Sequence, residues 1–172
     1  MISYIQKIQN SDLHIFTTIS NIRENKILDR ASLIISRSAD GVYYLIVAIL
    51  IFYFNSKGSR ILIQLLSGFA IQLPVYYLLK NKIKRRRPFE IFPVIKKIEP
   101  PDEFSFPSGH TAGAFLFATI LSVNFPIWSG VLYVWAGFVG FSRVHLRVHF
   151  PGDVLAGMTL GVCTAFTSIF LI

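Results

Sequence analysis

The sequence is poor in cysteine and in acidic side chains, and both shortages narrow what the chain can be. Its 172 residues include one cysteine, Cys163, so no internal disulfide can form. Nine Asp and Glu stand against 17 Lys and Arg, which gives a net charge of +8 and few carboxylates for a divalent cation. We therefore expect anionic partners, no disulfide framework, no metal site and no cofactor.

Internal repeats and low-complexity segments are also lacking. Hydrophobic residues make up 53% of the chain, which is typical of a membrane protein and leaves little soluble surface for binding nucleic acid. Charges are scattered through the first 40 residues without a continuous apolar region, so we expect no cleavable signal peptide. The length favours a single membrane-embedded domain spanning residues 1–172.

Five apolar stretches approach the ~20 residues that a membrane-spanning helix needs. They cover residues 39–55, 59–79, 111–125, 127–141 and 154–172. Residues 1–36 instead space their apolar side chains at helical intervals, with charges between them. We predict an all-α integral-membrane bundle of about five transmembrane helices, preceded by amphipathic helices at the interface. The alternative for residues 1–36 is an ordinary cap packed on the bundle.

Two polar segments interrupt the apolar stretches and carry most of the chemically useful side chains. One is the long loop at residues 81–107, and the other covers residues 142–152. If each apolar stretch crosses the bilayer once, the successive crossings bring both segments to the same face of the membrane. We therefore expect their histidines and arginines to form one site there.

Three short motifs flank these segments. The first is Lys80, six residues, then Arg87-Pro88; the second is Pro107-Ser108-Gly109-His110; the third is Ser142-Arg143, five residues, His149, three residues, Asp153. Their order and internal spacing resemble the signature motifs of the type 2 phosphatidic acid phosphatase family, whose active site is shared with vanadium haloperoxidases. The motif-bearing region, residues 80–153, lies within a chain of the apolar character that this family has.

The residue types suit phosphoryl transfer on chemical grounds as well. A phosphoryl group in transfer carries negative charge on its equatorial oxygens, so catalysis needs positioned cations and N–H donors. Lys80, Arg87 and Arg143 would supply the cations. Ser108 and Gly109 precede a predicted helix, where free N–H groups and the helix dipole favour an anion. We expect the Ser108 hydroxyl and the Gly109 N–H to bind the same phosphate.

The resemblance implies a division of labour between two histidines. His149 would attack phosphorus and form a phosphohistidine, while Asp153 would fix its tautomer. His110 would protonate the leaving oxygen and later activate water. For the neighbouring cations Lys82, Lys84, Arg85 and Arg86 we predict a solvated or headgroup-facing basic run. For His145 and Arg147 we predict a structural or headgroup-contacting role.

The resemblance also implies a substrate class, a phosphorylated membrane lipid. Candidates are undecaprenyl pyrophosphate and the 1-phosphate of lipid A, then phosphatidylglycerol phosphate and phosphatidic acid. A lipid-to-lipid phosphotransferase and a non-catalytic lipid-phosphate binding or transport protein remain alternatives. We expect a multi-pass protein of the bacterial inner membrane with an outward-facing site, although the excess of Lys and Arg on the site's side would favour the cytoplasm.

Overall fold

A computed structural model describes residues 11–19 and 25–172, and all the regular secondary structure within those ranges is helical. The predicted all-α fold is therefore confirmed. Residues 1–10 and 20–24, which belong to the predicted amphipathic segment, lie outside the described residues. The helices are α1 (11–19), α2 (Lys26–Arg37), α3 (Gly41–Phe54), α4 (Gly58–Ile83), α5 (Pro88–Ile91), α6 (Gly109–Asn124), α7 (Ser129–His145) and α8 (Pro151–Leu171), with a 3₁₀ turn at Pro126–Trp128.

The five predicted apolar stretches correspond to α3, α4, α6, α7 and α8. Within the described residues, three helical stretches are long and apolar enough to cross a membrane: Gly58–Ile91, Pro126–His145 and Pro151–Leu171. The pair α2 and α3, bent by 56°, qualifies as a fourth if it counts as one span. α6 has 16 residues, slightly fewer than the ~17 that a span requires.

Helix α6 is the centre of the bundle. Every residue from Thr111 to Ser122 is buried, so this helix has no lipid-facing stripe. Helix α8 comes closest to it, because Gly157 and Gly161 face the α6 backbone four residues apart. A β-carbon at Gly157 would lie 2.5 Å from the Ser108 carbonyl oxygen, and one at Gly161 would overlap the Ala112 carbonyl oxygen. This spacing of small residues is the pattern that lets membrane helices pack backbone to backbone.

Replacing Gly161 by alanine should therefore force α6 and α8 apart. We expect Gly161→Ala to lower the free energy of unfolding by about 1–3 kcal/mol through overpacking. Thermal unfolding of the purified protein in detergent measures the effect. Gly137→Ala on α7 is the matched control, because a β-carbon there meets open space. Equal midpoints for the two variants would contradict the close α6–α8 contact.

The helix ends that carry the three motifs meet at one end of the bundle. The Ser108 N–H donates to the Asp153 carbonyl oxygen at 3.0 Å, which joins the start of α6 to the start of α8. Arg87 Nη1 donates to the Val148 carbonyl oxygen at 2.6 Å, which joins the long loop to the α7–α8 connection. The two polar segments thus lie together, as the alternating crossings predict.

The N-terminal helices add a cover at this same end. On α1, Phe16 is fully buried, with its ring 5.2 Å from that of Phe150 and 6.0 Å from that of Phe92. In the described residues 11–19 the segment is therefore packed on the bundle as a cap. α2 buries Ser32 and Ser36 and packs Ile35 against the core, while Ile27 and Ile34 are exposed.

Candidate active site

The structure brings all eight predicted site residues to this one end of the bundle. Six of them are buried, and Gly109 and His110 are partly exposed. Lys80 lies in the last turn of α4, Ser108 is the N-cap residue of α6, and Arg143 lies in the last turn of α7. His149 lies in the short connection before α8, and Asp153 in the first turn of that helix.

The local sequence explains how α8 begins where it does. Pro151 occupies the first helical position, where its missing N–H costs nothing. Asp153 lies two residues further on, and its Oδ2 accepts the Phe150 N–H at 2.8 Å. This bond from the backbone to the carboxylate fixes Asp153 beside His149, as the motif spacing predicts.

The imidazole of His149 is buried, with 2% of the residue exposed. Its Nδ1 lies 3.7 Å from Asp153 Oδ2, which is an ion-pair distance and longer than a hydrogen bond. Because Nδ1 faces Asp153, Nε2 is the nitrogen available for attack. Burial lowers the pKa of His149 to about 4, with the carboxylate of Asp153 opposing the shift and the charge of Arg143 adding to it. The imidazole is thus neutral at neutral pH, as a nucleophile must be.

Arg143 carries the clearest sign of an anion site. It is 1% exposed, and its Nη1 donates to the Ser36 hydroxyl at 2.6 Å. Its Nε and Nη2 are buried and have no hydrogen-bond partner among the described residues. Buried donors are almost always paired in native proteins, so two free ones on one guanidinium predict a ligand that supplies the acceptors. The Arg143 side chain lines a cavity of about 460 Å³ together with His110.

His110 is held by a carboxylate that the sequence did not single out. His110 Nε2 lies 3.0 Å from Asp40 Oδ1, at the start of α3. The sequence gives no spacing signal for this pair, since 70 residues separate the two. Burial, with the charge of Arg143, lowers the pKa of His110 to about 4, and the Asp40 carboxylate opposes that shift. The contact with Asp40 thus orients the imidazole and stabilises the protonated form that a proton donor needs.

Lys80 and Arg87 are also buried, but the chain itself occupies their donors. Lys80 Nζ donates to Asp102 Oδ1 at 2.6 Å and to the Phe104 carbonyl oxygen at 2.9 Å. Arg87 Nη2 donates to the same Asp102 oxygen at 2.5 Å, and other Arg87 nitrogens donate to carbonyl oxygens of the loop and of Val148. Both predicted phosphate-binding cations thus contact one carboxylate.

A second cavity, of about 490 Å³, opens on the other side of His110. One end of it is polar, with Asp40, Tyr76, Asp102 and His110, and the rest is apolar. The apolar part runs between α3, α4 and α6 and includes Tyr44, Leu45, Leu62, Leu65, Leu66, Phe69 and Leu73. His110 therefore stands where a polar cavity meets an apolar one, an arrangement that fits a phosphate ester with a hydrocarbon chain.

Comparison with known proteins agrees with this geometry. The family model described as the PAP2 superfamily matches residues 61–171. The chain belongs to the PAP2 superfamily. The matched region contains all three motifs, most of α4 and the whole of α6, α7 and α8, and it ends at the last residue of α8.

Individual relatives within the PAP2 superfamily are similar over different shares of their length. The chain is 33% identical over 115 residues to an undecaprenyl-diphosphatase of Sulfolobus acidocaldarius, a match of 66% of this chain and 56% of that protein. The crystal structure of LpxE of Aquifex aeolicus superposes with a TM-score of 0.83 at 28% identity, covering 92% of this chain and 94% of that one. The crystal structure of a PAP2-type phosphatidylglycerolphosphate phosphatase of Bacillus subtilis superposes with a TM-score of 0.76 at 26% identity. The superposition covers 96% of this chain and 86% of that one.

Within this PAP2 site, Arg85 behaves differently from the prediction. Lys82, Lys84 and Arg86 are exposed, as a headgroup-facing run should be. For Arg85 that prediction is wrong, because its Nη1 donates to Asp153 Oδ1 at 2.8 Å. The chain leaves its helical path at Lys84, where α4 ends, so helical periodicity could not reveal the direction of the Arg85 side chain.

Arg85 also links Asp153 to the N-terminal cap. Its Nη2 contacts Asp12 Oδ2 at 2.5 Å, and Asp12 Oδ1 accepts the Gly152 N–H at 2.7 Å. The guanidinium carbon lies 4.1 Å from the centroid of the Phe150 ring. Asp12 of α1 thus supports the start of α8 in two ways. It pairs with Arg85, which contacts Asp153, and it accepts the N–H of Gly152.

We expect Arg85→Gln to lower kcat by about 10- to 100-fold with little change in KM, because the carboxylate that orients His149 loses its support. Steady-state measurement of phosphate release gives kcat and KM separately for each variant. Arg86→Gln removes the same charge from an exposed neighbour and should leave both constants near their wild-type values. A rise in KM with unchanged kcat would show that Arg85 contacts substrate instead.

His145 takes part in a separate cluster. Its Nε2 lies 2.8 Å from Asp29 Oδ1, and Lys97 Nζ contacts the same oxygen at 2.5 Å. These contacts tie the long loop to α2 and α7, a structural role that agrees with the prediction for this histidine. Arg147 has a positive φ of 64° and donates to the Ile95 carbonyl oxygen, on the same loop.

Proposed function

We propose that this chain is a membrane lipid phosphatase that works through a phosphohistidine on His149 and needs no metal ion. The observation that carries the proposal is the buried guanidinium of Arg143, whose two unpaired donors lie beside His110. An anion with two or more oxygens satisfies those donors. The apolar cavity on the other side of His110 gives the ester's hydrocarbon chain a place to lie.

In the first chemical step, His149 Nε2 attacks phosphorus and a P–N bond forms. The bond from phosphorus to the leaving oxygen breaks, and His110 gives its proton to that oxygen. Arg143 neutralises charge on the equatorial oxygens, together with the free N–H groups at the start of α6. Asp153 stabilises the positive charge that develops on the His149 ring, since its Oδ2 faces Nδ1.

In the second step, water attacks the phosphohistidine. His110, now neutral, accepts a proton from that water, and the P–N bond breaks. Inorganic phosphate leaves and His149 returns to its starting form. The same two histidines therefore serve both half-reactions, with His110 acting first as acid and then as base.

A metal ion is not needed, because the positive charge that phosphoryl transfer requires is already present in Lys80, Arg87 and Arg143. The nearby carboxylates are each engaged by a positive or polar group: Asp153 by Arg85, Asp102 by Lys80 and Arg87, and Asp40 by His110. We expect activity to persist in a chelator such as EDTA.

For the substrate we propose a phosphorylated envelope lipid, with undecaprenyl pyrophosphate and the 1-phosphate of lipid A as equal leading candidates. The proposal draws on the similarity to an undecaprenyl-diphosphatase, although the match covers just over half of that relative's length. The apolar cavity between α3 and α4 suits a flexible hydrocarbon chain of either kind.

The test is a phosphate-release panel on detergent-solubilised protein. Undecaprenyl pyrophosphate, lipid A 1-phosphate, phosphatidylglycerol phosphate and phosphatidic acid are compared, each with and without EDTA. We expect release that persists in EDTA. No release from any lipid, or release that EDTA abolishes, would overturn the proposal. A labelled acceptor lipid that becomes phosphorylated would identify a phosphotransferase instead.

For the location we propose a bacterial inner membrane with the site on its outer face. Single cysteines at the two ends of the bundle test this, in a Cys163→Ser background that removes the native thiol. Ser56→Cys lies in the turn between α3 and α4, and Lys96→Cys lies in the loop over the site. A membrane-impermeant maleimide added to intact cells should label only Lys96→Cys; labelling of only Ser56→Cys would reverse the orientation.

A further inference from the structure

The carboxylate of Asp102 occupies the place where a phosphate would meet two of the predicted cations. Its Oδ1 accepts from Lys80 Nζ at 2.6 Å and from Arg87 Nη2 at 2.5 Å. Its Oδ2 accepts from the Tyr76 hydroxyl at 2.5 Å. Three donors from two separate segments thus converge on one acidic side chain of the long loop.

These contacts close the cations off from an incoming anion. Lys80 is 3% exposed and Arg87 is 1% exposed, whereas the Asp102 side chain is 27% exposed. An oxyanion can therefore reach Lys80 and Arg87 only if Asp102 moves toward the solvent. Burial raises the pKa of Asp102, but the donors Lys80 and Tyr76 outweigh it and hold the pKa below the usual range. The side chain is thus an anion at neutral pH.

Asp102 also lines the polar end of the apolar cavity. Pro101, Asp102 and Tyr76 line that cavity together with His110. A hydrocarbon chain in that cavity lies against Pro101 and Asp102, next to the carboxylate that Lys80 contacts. Chain binding and displacement of the carboxylate are therefore physically coupled.

We propose that Asp102 is a specificity-determining residue: an internal anion that holds the phosphate subsite until a lipid chain in the apolar cavity helps to displace it. The inference rests on the proposed phosphatase activity. A soluble phosphate ester or free phosphate has no chain to bind the cavity, so it must displace the carboxylate by its charge alone. The residue thereby favours lipid phosphates over soluble ones and weakens inhibition by the phosphate product.

Asp102→Asn tests the inference, because the amide keeps the shape of the side chain and removes its charge. We expect the inhibition constants of vanadate and inorganic phosphate to fall by roughly tenfold or more. The substitution removes the charge-assisted hydrogen bonds from Lys80 and Arg87 to the carboxylate, so an incoming anion no longer has to break them. We also expect kcat/KM for p-nitrophenyl phosphate to rise relative to kcat/KM for the best lipid of the panel. The rise should come from KM and not from kcat.

Glu103→Gln is the matched control. Glu103 is adjacent and exposed, and the contact it makes with Arg87 uses its backbone carbonyl oxygen, which the substitution retains. Glu103→Gln should leave unchanged both the inhibition constant of vanadate and the ratio of kcat/KM for p-nitrophenyl phosphate to kcat/KM for the lipid. A response equal to that of Asp102→Asn would mean that general loop charge, and not the occupied subsite, governs anion binding.

A purely structural Asp102 predicts the opposite result. If the carboxylate serves only to hold Lys80 and Arg87 in place, Asp102→Asn will bind vanadate less tightly and lose activity on lipid and soluble esters alike. That result would overturn the inference while leaving the phosphatase proposal intact. If the wild-type protein releases no phosphate from any lipid, the proposed function itself fails.

Discussion

The variant His149→Ala should lose at least about 10⁴-fold in kcat on the preferred lipid, because no other group can form the covalent intermediate. The imidazole is neutral and buried, and Asp153 faces its Nδ1, which leaves Nε2 for attack. Phosphate release under single-turnover conditions measures the loss without interference from product release.

His145 supplies the control for this variant. It is equally buried and lies four residues earlier, but its ring contacts Asp29 and not the catalytic end of α8. We expect His145→Gln to keep most of the activity when the protein is assayed at a temperature where it remains folded. If His145→Gln abolished turnover and His149→Ala did not, the nucleophile would have been assigned to the wrong histidine.

The second large effect concerns Arg143. We expect Arg143→Gln to reduce kcat by about 10²- to 10³-fold, because the transition state loses charge-matched donors in a buried site. Arg143→Lys should recover little of this loss, since a single ammonium nitrogen lacks the planar fork that lets Arg143 bond to Ser36 and still present two parallel N–H donors to phosphate. Vanadate binding should weaken in parallel, because vanadate mimics the five-coordinate phosphorus.

Arg37 provides the contrast, since it lines the same polar cavity but is exposed. Arg37→Gln should change kcat little, and any effect should fall on KM through the lipid headgroup. Full activity in Arg143→Gln would mean that its two unpaired nitrogens do not meet the reacting phosphate, and the anion site would have to lie elsewhere.

The fold was largely predictable because the apolar stretches are long and the breaks between them are sharp. The five stretches became α3, α4, α6, α7 and α8, and the alternating crossings brought Arg87 within 2.6 Å of the Val148 carbonyl oxygen. Composition could not reveal that α6 is buried on all sides. That depends on the close approach of α8 at Gly157 and Gly161, which is a property of the packed pair.

The motifs located the cations, the histidines and Asp153, but not the other carboxylates that hold these groups. Asp40, Asp102 and Asp12 come from three separate segments, and each meets its partner through tertiary folding. No periodicity links residues 12 and 85, or 40 and 110. Arg85 was misjudged for the same reason: a basic run looks uniform in sequence, whereas the end of α4 at Lys84 turns one member of it inward.

The covalent intermediate offers the most direct test of the account. Purified protein is mixed with an excess of the preferred lipid, quenched at alkaline pH within the first turnover, digested and analysed by mass spectrometry. We predict a single phosphorylated residue, His149, with a bond that survives alkali and is lost in acid. Phosphate on another residue, or rapid lipid hydrolysis with no phosphorylated protein at any time point, would contradict it.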